Sequence, residues 1–542
     1  MTKDRSSILS AAPAVLIILI CSVLPLSWMA AVIIANPVVR SELSFDSFRI
    51  GLLARTLGYN AIGAIIATLM GLPAAFVLGR GRGGLARILW VLLPAAILLP
   101  SLAYAYGWSQ AMRIIVDQAR NHGITINVRP AGPIDVFRCI WSLATWLWAV
   151  PACIIGLALR RMDTAVQQQA VMDGALRRIT LRQLLGPIIA SIAIVTILAT
   201  QEFAVYEPTG ISVIATEVRM VFDTGALSSA NNAITVSGFL GAGAASPDQP
   251  ARAAAAVATL APLLAITALL AWLALWSVRR VQASDALAEG DWPRVLEASP
   301  WTIALTIALL ALNIGIPVAA LVGSLKTQFS LPRMWSEYRP QLQGSLFVAS
   351  EAAIVALLVS FFTAARRMPG ALVATLGSFL IGGQLLAIAL IRIYNRHGLF
   401  WAYDSSVVTA MAYIGRFGWL GVAAGLGTWT RPWQELRDIA SVDGATTIRA
   451  ACSVIWPLAW PMLLAGGLLV GALSLTEVPA TVLLMPQRPQ VLTPTLMTWV
   501  HTLRYDPMIE ASLLMMATVM IPALLAVLLL IAGSRVLRSS TR

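Results

Sequence analysis

Charge is scarce in this chain. Only 12% of its 542 residues are Asp, Glu, Lys or Arg, and 58% are hydrophobic. Soluble domains carry about 25% charged residues, so an ordinary soluble domain is excluded, and a mean hydropathy of +0.80 points to lipid. Lysine is scarcer still. Lys3 and Lys326 are the only two, and neither lies in a glycine loop. No G-x-x-x-x-G-K-[ST] occurs, which excludes ATP binding in the P-loop manner. Cys21, Cys139, Cys153 and Cys452 form no CxxC pair, so neither a zinc ribbon nor a disulfide framework is expected. His122, His397 and His501 have no zinc-ligand spacing. No nucleophile or histidine–carboxylate constellation supports an enzyme. Gly79, Gly81 and Gly84 do spell G-x-G-x-x-G, but after an apolar run rather than a strand, and a short turn explains them.

Long apolar runs are what the chain has in abundance. A spanning helix needs roughly 20 mostly apolar residues, and twelve such stretches are expected. The first six cover 11–34, 52–79, 88–110, 136–159, 184–206 and 253–277. The second six cover 301–323, 344–365, 371–391, 406–428, 459–480 and 509–533. The first run exceeds the roughly 7–15 residues of a signal-peptide core, so it is expected to remain as a span. The polar segment 278–300 separates the sets, giving repeats 1–277 and 301–542. Six spans each make a parallel repeat about an axis along the membrane normal. Clusters such as Arg160-Arg161, Arg279-Arg280 and Arg366-Arg367, with the tail Arg535, Arg538 and Arg542, predict cytoplasmic N- and C-termini. The net charge of +13 then reflects topology, and no nucleic-acid partner is expected. Residues 111–135 and 223–248 are expected outer loops.

One pattern occurs twice. Residues 168–187 read QQAVMDGALRRITLRQLLGP, and residues 438–457 read DIASVDGATTIRAACSVIWP. The pairs Asp173-Gly174 and Asp443-Gly444 are set almost half the chain apart. The stretch from each glycine to the following proline, Pro187 or Pro457, has the same length. In the first copy Asp163 suits an N-cap for a helix over 164–172. Gly174 suits a left-handed turn. A second helix over 176–186 runs into Pro187. The second copy repeats this plan, so a short helix–turn–helix is expected on the cytoplasmic face in each half.

These loops, 163–187 and 433–457, resemble the "EAA" coupling motif of ABC importer permeases. The matched positions are Gln168, Gln169, Ala170, Gly174, Leu184 and Pro187, then Asp438, Ile439, Ala440, Gly444, Val454 and Pro457. The Gly, the Pro, the second Ala and the spacing agree; the Glu-Ala opening does not, and only Asp438 keeps an acid there. Two such units on one chain resemble the ferric-iron and thiamine branch, and the stretches LPSLAYAYGW (99–108), GGQLLAIALIRIYN (382–395) and LTEVPATVLLMP (475–486) are similar to its ferric-iron type. The resemblance implies an all-α bundle of about twelve spans, two fused units of the type I importer permease fold, in a bacterial inner membrane. It implies Ala170, Asp173, Gly174, Pro187, Ala440, Asp443, Gly444 and Pro457 as the contact with a cytoplasmic ABC ATPase dimer. ATP and Mg would sit on that partner, with no cofactor or metal on this chain. An extracytoplasmic binding protein would deliver the solute. Ferric iron leads; thiamine, a polyamine or a phosphonate follows. A proton-coupled secondary transporter is the alternative of another class.

Ionisable groups at membrane depth are costly and mark pathways. Glu207 and Glu477 follow their loop prolines, Pro187 and Pro457, at the same distance along the chain, so they are equivalent across the repeat. With Glu202 they are the candidate acids of a cation pathway near the outer mouth. The competing reading pairs them with an outer arginine such as Arg219 or Arg504. Glu351 is a weaker candidate. Tyr104, Tyr106, Tyr206 and Tyr394 are either oxygen ligands or interfacial anchors.

Overall fold

The computed structural model describes residues 11–35, 47–81, 88–90, 92, 93, 97, 99–124, 129–162, 164–224, 249–282, 298–325, 330–429, 431–486, 488–502 and 504–540. Among them every regular element is helical and no strand occurs. Among the described residues nine helices are long and apolar enough to cross a membrane, or up to eleven spans if two bent pairs count as one each. The chain is therefore a polytopic helical membrane protein, since helices satisfy their own backbone groups in lipid.

In chain order the first half gives α1 Ala11–Ala35, α2 Ser47–Arg80, α3 Ser101–Asn121, α4 Pro133–Leu147, α5 Ala149–Arg161, α6 Thr164–Met172, α7 Leu176–Thr200, α8 Ile214–Thr224 and α9 Gln249–Gln282. The second half gives α10 Pro300–Gly323, α11 Leu331–Ala365, α12 Pro369–Ile381, α13 Gly383–Tyr394, α14 Val407–Phe417, α15 Trp419–Gly427, α16 Arg431–Val442, α17 Thr447–Thr476, α18 Pro479–Leu484, α19 Leu492–His501 and α20 Tyr505–Ser540.

Three expected spans differ from the continuous helices foreseen. The third, 88–110, is not one helix. Pro100 has no N–H and disfavours a helical residue before it; its own ψ of 122° is not helical, and α3 starts only at Ser101. It then runs to Asn121, through much of the expected outer loop 111–135. Its far end is polar and solvated, with Asp117 between Arg113 and Arg120 at 4.0 and 3.6 Å. The ninth, 371–391, breaks between α12 and α13 with a 101° bend. Gly382 makes that bend at φ +94°, a backbone state that excludes side chains. The tenth, 406–428, bends by 52° between α14 and α15. The loop 225–248 and most of the linker, 283–297, lie outside the described residues.

The helices gather into two compact units that are not the two sequence halves. One unit joins α1 to α11–α20. Here α17 packs between α11 and α20, while α1 lies on α13 and α14. Ala14 and Ile18 of α1 share a cluster with Val359 and Val422, and Cys21 shares one with Val348, Ala352 and Tyr413. Lipid removes the hydrophobic drive for such contacts, so close packing and hydrogen bonds hold them. A wide π-turn at Leu19–Val23 opens the α1 ladder. The Tyr394 hydroxyl of α13 donates to Ile20 O within that turn, at 3.3 Å.

The other unit joins α2–α7 to α10. Here α2 packs on α5 and α7, and α10 lies along α3. A π-turn recurs in α10, at Ala311–Gly315. The Tyr104 hydroxyl of α3 donates to Asn313 O in it, at 2.8 Å. Gly107 lets the two helices touch, since a Cβ there would come 2.8 Å from Pro317 O. In each unit, then, the opening helix of one half is fastened to a third-span helix of the other by a tyrosine and a π-turn.

Candidate functional site

The two repeated loops fold alike. In the first, α6 ends at Met172 and Gly174 takes φ +64°. Ala175 N–H donates to Ala170 O at 2.8 Å, and Gly174 N–H donates to Val171 O at 3.0 Å. In the second, α16 ends at Val442 and Gly444 takes φ +77°. Ala445 N–H donates to Ala440 O at 3.0 Å, and Gly444 N–H to Ser441 O at 3.1 Å. Both are Schellman caps, which satisfy the last helix carbonyls through a left-handed residue. No atom lies within 4 Å of a Cβ built on either glycine. Backbone conformation, not space, demands glycine there.

Burial separates the two sides of each loop. Ala170 and Ala440 point inward, at 1% and 7% exposure. Met172 and Val442, at matching places in the two copies, stand out at 82% and 86%. Asp173, Gly174, Asp443 and Gly444 are exposed beside them. Asp163, the expected N-cap, lies outside the described residues. Pro187 does not break its helix; it sits inside α7, which continues the loop's second helix into the fifth span. Before Pro457 the same stretch relaxes into a π-turn, Ala451–Ile455.

The second loop is bolted to its unit by Arg437, a residue outside the repeated Asp-Gly-to-Pro pattern. Its guanidinium donates to Thr428 O at 2.5 Å, Ala364 O at 2.8 Å and Thr428 Oγ1 at 2.9 Å. It also lies 4.0 Å over the Trp429 ring. Burial pulls its pKa down to about 10, so it stays charged at neutral pH. Trp433, 3% exposed, anchors the same helix among Ala364, Ile455, Ala459 and Leu463. At the repeat position of Arg437 stands Gln167, 1% exposed, with no hydrogen-bond partner for either amide atom among the described residues.

The acids occupy the opposite ends of α7 and α17 from the loops. Glu477 directly follows α17 and is 3% exposed. Its carboxylate lies 3.0 Å from Arg416 Nε, and its Oε1 accepts the Ala480 N–H at 3.1 Å. Its partner is thus an arginine of α14, in the fourth span, and neither Arg219 nor Arg504. Arg219 pairs with Asp223 at 3.4 Å. Arg416 is a charge within an apolar run, a signal the sequence offered. Glu202 follows α7 and accepts the Ser101 hydroxyl at 2.9 Å. Glu207 opens a single 3₁₀ turn, Glu207–Thr209, and is half-buried. By surroundings Glu202, not Glu207, is therefore the counterpart of Glu477.

The remaining candidates have structural contacts. Glu351 Oε1 accepts from Ser406 Oγ at 3.0 Å, beside an apolar cavity of ≈ 460 Å³ lined by α1, α11 and α14. Tyr206 donates to Asn60 Oδ1 at 2.7 Å, and Tyr104 and Tyr394 serve the π-turns. Among the described residues no three His, Cys, Asp or Glu side chains gather as a metal site. No protein-family model, characterised protein or solved structure matches this chain.

Proposed function

We propose that this chain is the membrane permease of an ATP-driven importer, with both permease units on one polypeptide. The observation that carries the reading is the pair of identically capped loops, one in each half, on a chain otherwise made of apolar helices. Apolar side chains exposed beside an acid at each loop tip suit a docking surface. Used twice, that surface fits a dimeric partner. The partner would be an ABC ATPase dimer on the cytoplasmic side, holding ATP and Mg, and Ala170, Asp173, Gly174, Pro187, Ala440, Asp443, Gly444 and Pro457 would form the coupling loops. Closure of the dimer would drive alternating access. An extracytoplasmic binding protein in a bacterial envelope would deliver the solute. The resemblance of three segments to the ferric-iron branch makes ferric iron the first substrate to test, before thiamine.

Co-purification of the tagged chain from its native membrane tests the reading. Recovery of an ATPase subunit supports it. A chain that comes out alone, with uptake that survives ATP depletion and collapses with the proton gradient, replaces it by a secondary transporter. Gly174→Pro or Gly444→Pro sharpens the test. Proline can neither take positive φ nor donate the cap hydrogen bond, so each variant inserts normally but loses ATP-driven uptake. Normal uptake by both would remove the coupling role.

A further inference from the structure

The break in the third span meets the same two neighbours in both halves. In the second half the break falls at Gly382-Gly383, where α13 begins. A Cβ on Gly383 would overlap both Arg416 Nη1 and Glu477 Oε1, so the ion pair rests directly on the first residue of α13. Arg416 comes from the fourth span and Glu477 from just after the fifth. In the first half the break falls at Pro100-Ser101, where α3 begins. Ser101 Oγ donates to Glu202, again just after the fifth span. Leu99 O, on the other side of the break, accepts from Trp146 Nε1 at 2.9 Å. Trp146 is on the fourth span, and the offset that relates Gly174 to Gly444 relates it to Arg416. Third-span break, fourth-span side chain and post-fifth-span acid thus converge in each unit separately.

Spacing hides this correspondence. Glu202 follows Pro187 by a shorter stretch than the one from Pro457 to Glu477. The difference exceeds one helical turn of about 3.6 residues. Counting from the loop proline therefore pairs Glu477 with Glu207, whereas the ends of the helices pair it with Glu202.

We propose that Glu202 and Glu477 are positioning residues that clasp the broken third span, rather than ligands for a passing solute. A helix interrupted inside a membrane protein leaves backbone donors and carbonyls without their ladder partners, and they must be met by protein. Here Trp146 meets one of them, Leu99 O, while Glu202 holds the Ser101 hydroxyl and the Arg416–Glu477 pair lies against Gly383, and these contacts fix where the chain turns. Glu477 has its charge engaged by Arg416, at 6% and 3% side-chain exposure for the arginine and the acid, which keeps it from serving as an open cation site. The clasp does not depend on the identity of the solute or the energy source.

The test reads each break locally. In a chain with the four native cysteines changed to serine, Leu102→Cys and Leu385→Cys are introduced singly. These positions are 4% and 3% exposed, just past Ser101 and Gly383. Their reaction with N-ethylmaleimide is followed in the purified full chain. Glu477→Gln is expected to speed labelling at 385 at least tenfold and leave 102 unchanged. Glu202→Ala is expected to do the reverse. Unchanged labelling in both variants, or equal acceleration at both positions in either, overturns the clasp. If Glu477→Gln fails to fold, Arg416→Gln/Glu477→Gln removes both charges together. It should accelerate position 385 alone, and parental labelling there would equally overturn the proposal.

Discussion

Arg437 and Gln167 show how one repeat position is solved in two ways. Arg437 spreads its donors over the ends of two helices and stacks on Trp429, so it ties α16 to the helix ends above it. Hydrogen bonds from a charged group are worth more than neutral ones, and removing the donor leaves buried carbonyls unpaired. Arg437→Ala should therefore cost about 2–4 kcal/mol, read as a lower melting temperature in detergent. Arg437→Lys should recover little, because an ammonium cannot reproduce the planar fork. Gln167 is the opposite case. Its buried amide has no hydrogen-bond partner among the described residues, so Gln167→Met should be neutral or stabilise by about 1 kcal/mol. A drop in melting temperature for Gln167→Met as large as that for Arg437→Ala would mean that the two positions hold their loops equally.

At the scale of elements, helix contacts here are set by what is missing from the side chains. Gly71 of α2 sits against the hinge of α4 and α5, where a Cβ would come 2.8 Å from Trp148 O and 3.1 Å from Pro151 Cγ. Gly58, on the same helix, has nothing within 4 Å of its Cβ position. Overpacking of a tight contact costs about 1–3 kcal/mol. Gly71→Val should lower the melting temperature by several degrees, while Gly58→Val should leave it unchanged. Equal effects would show that helix propensity rather than packing decides. This contrast also marks what the sequence could tell. Apolar runs marked the spans, because length and hydropathy are local properties. The twin left-handed glycines were legible because a repeated Asp-Gly before a fixed proline is local too. The break at Pro100 carried a local sign that the continuous apolar pattern outweighed. The Arg416–Glu477 pair joins residues with three whole helices, α15, α16 and α17, between them in the chain, and no periodicity encodes such a contact.

At the scale of the whole molecule, sequence repeat and compact unit are different divisions. By its linker at 278–300 the sequence reads as two halves, but packing assigns α1 to the helices of the second half and α10 to those of the first. Hydropathy cannot see this exchange, since α1 is equally apolar wherever it docks. What specifies it is a short set of polar contacts in lipid, where an unmet carbonyl is costly. Opening the α1 ladder into a π-turn offers Ile20 O to Tyr394, as the α10 turn offers Asn313 O to Tyr104. Cys21 lies in one core cluster with Ala410 of α14. In a chain with Cys139, Cys153 and Cys452 changed to serine, Ala410→Cys should cross-link to Cys21 under a short bifunctional thiol reagent. A protease site placed in 283–297 then gives the readout. After cleavage the two fragments should stay joined on a denaturing gel, and Tyr394→Phe should lower the cross-linking yield. Fragments that separate fully would mean that α1 stays with its own half, and the fold would then be two self-contained bundles rather than an exchanged pair.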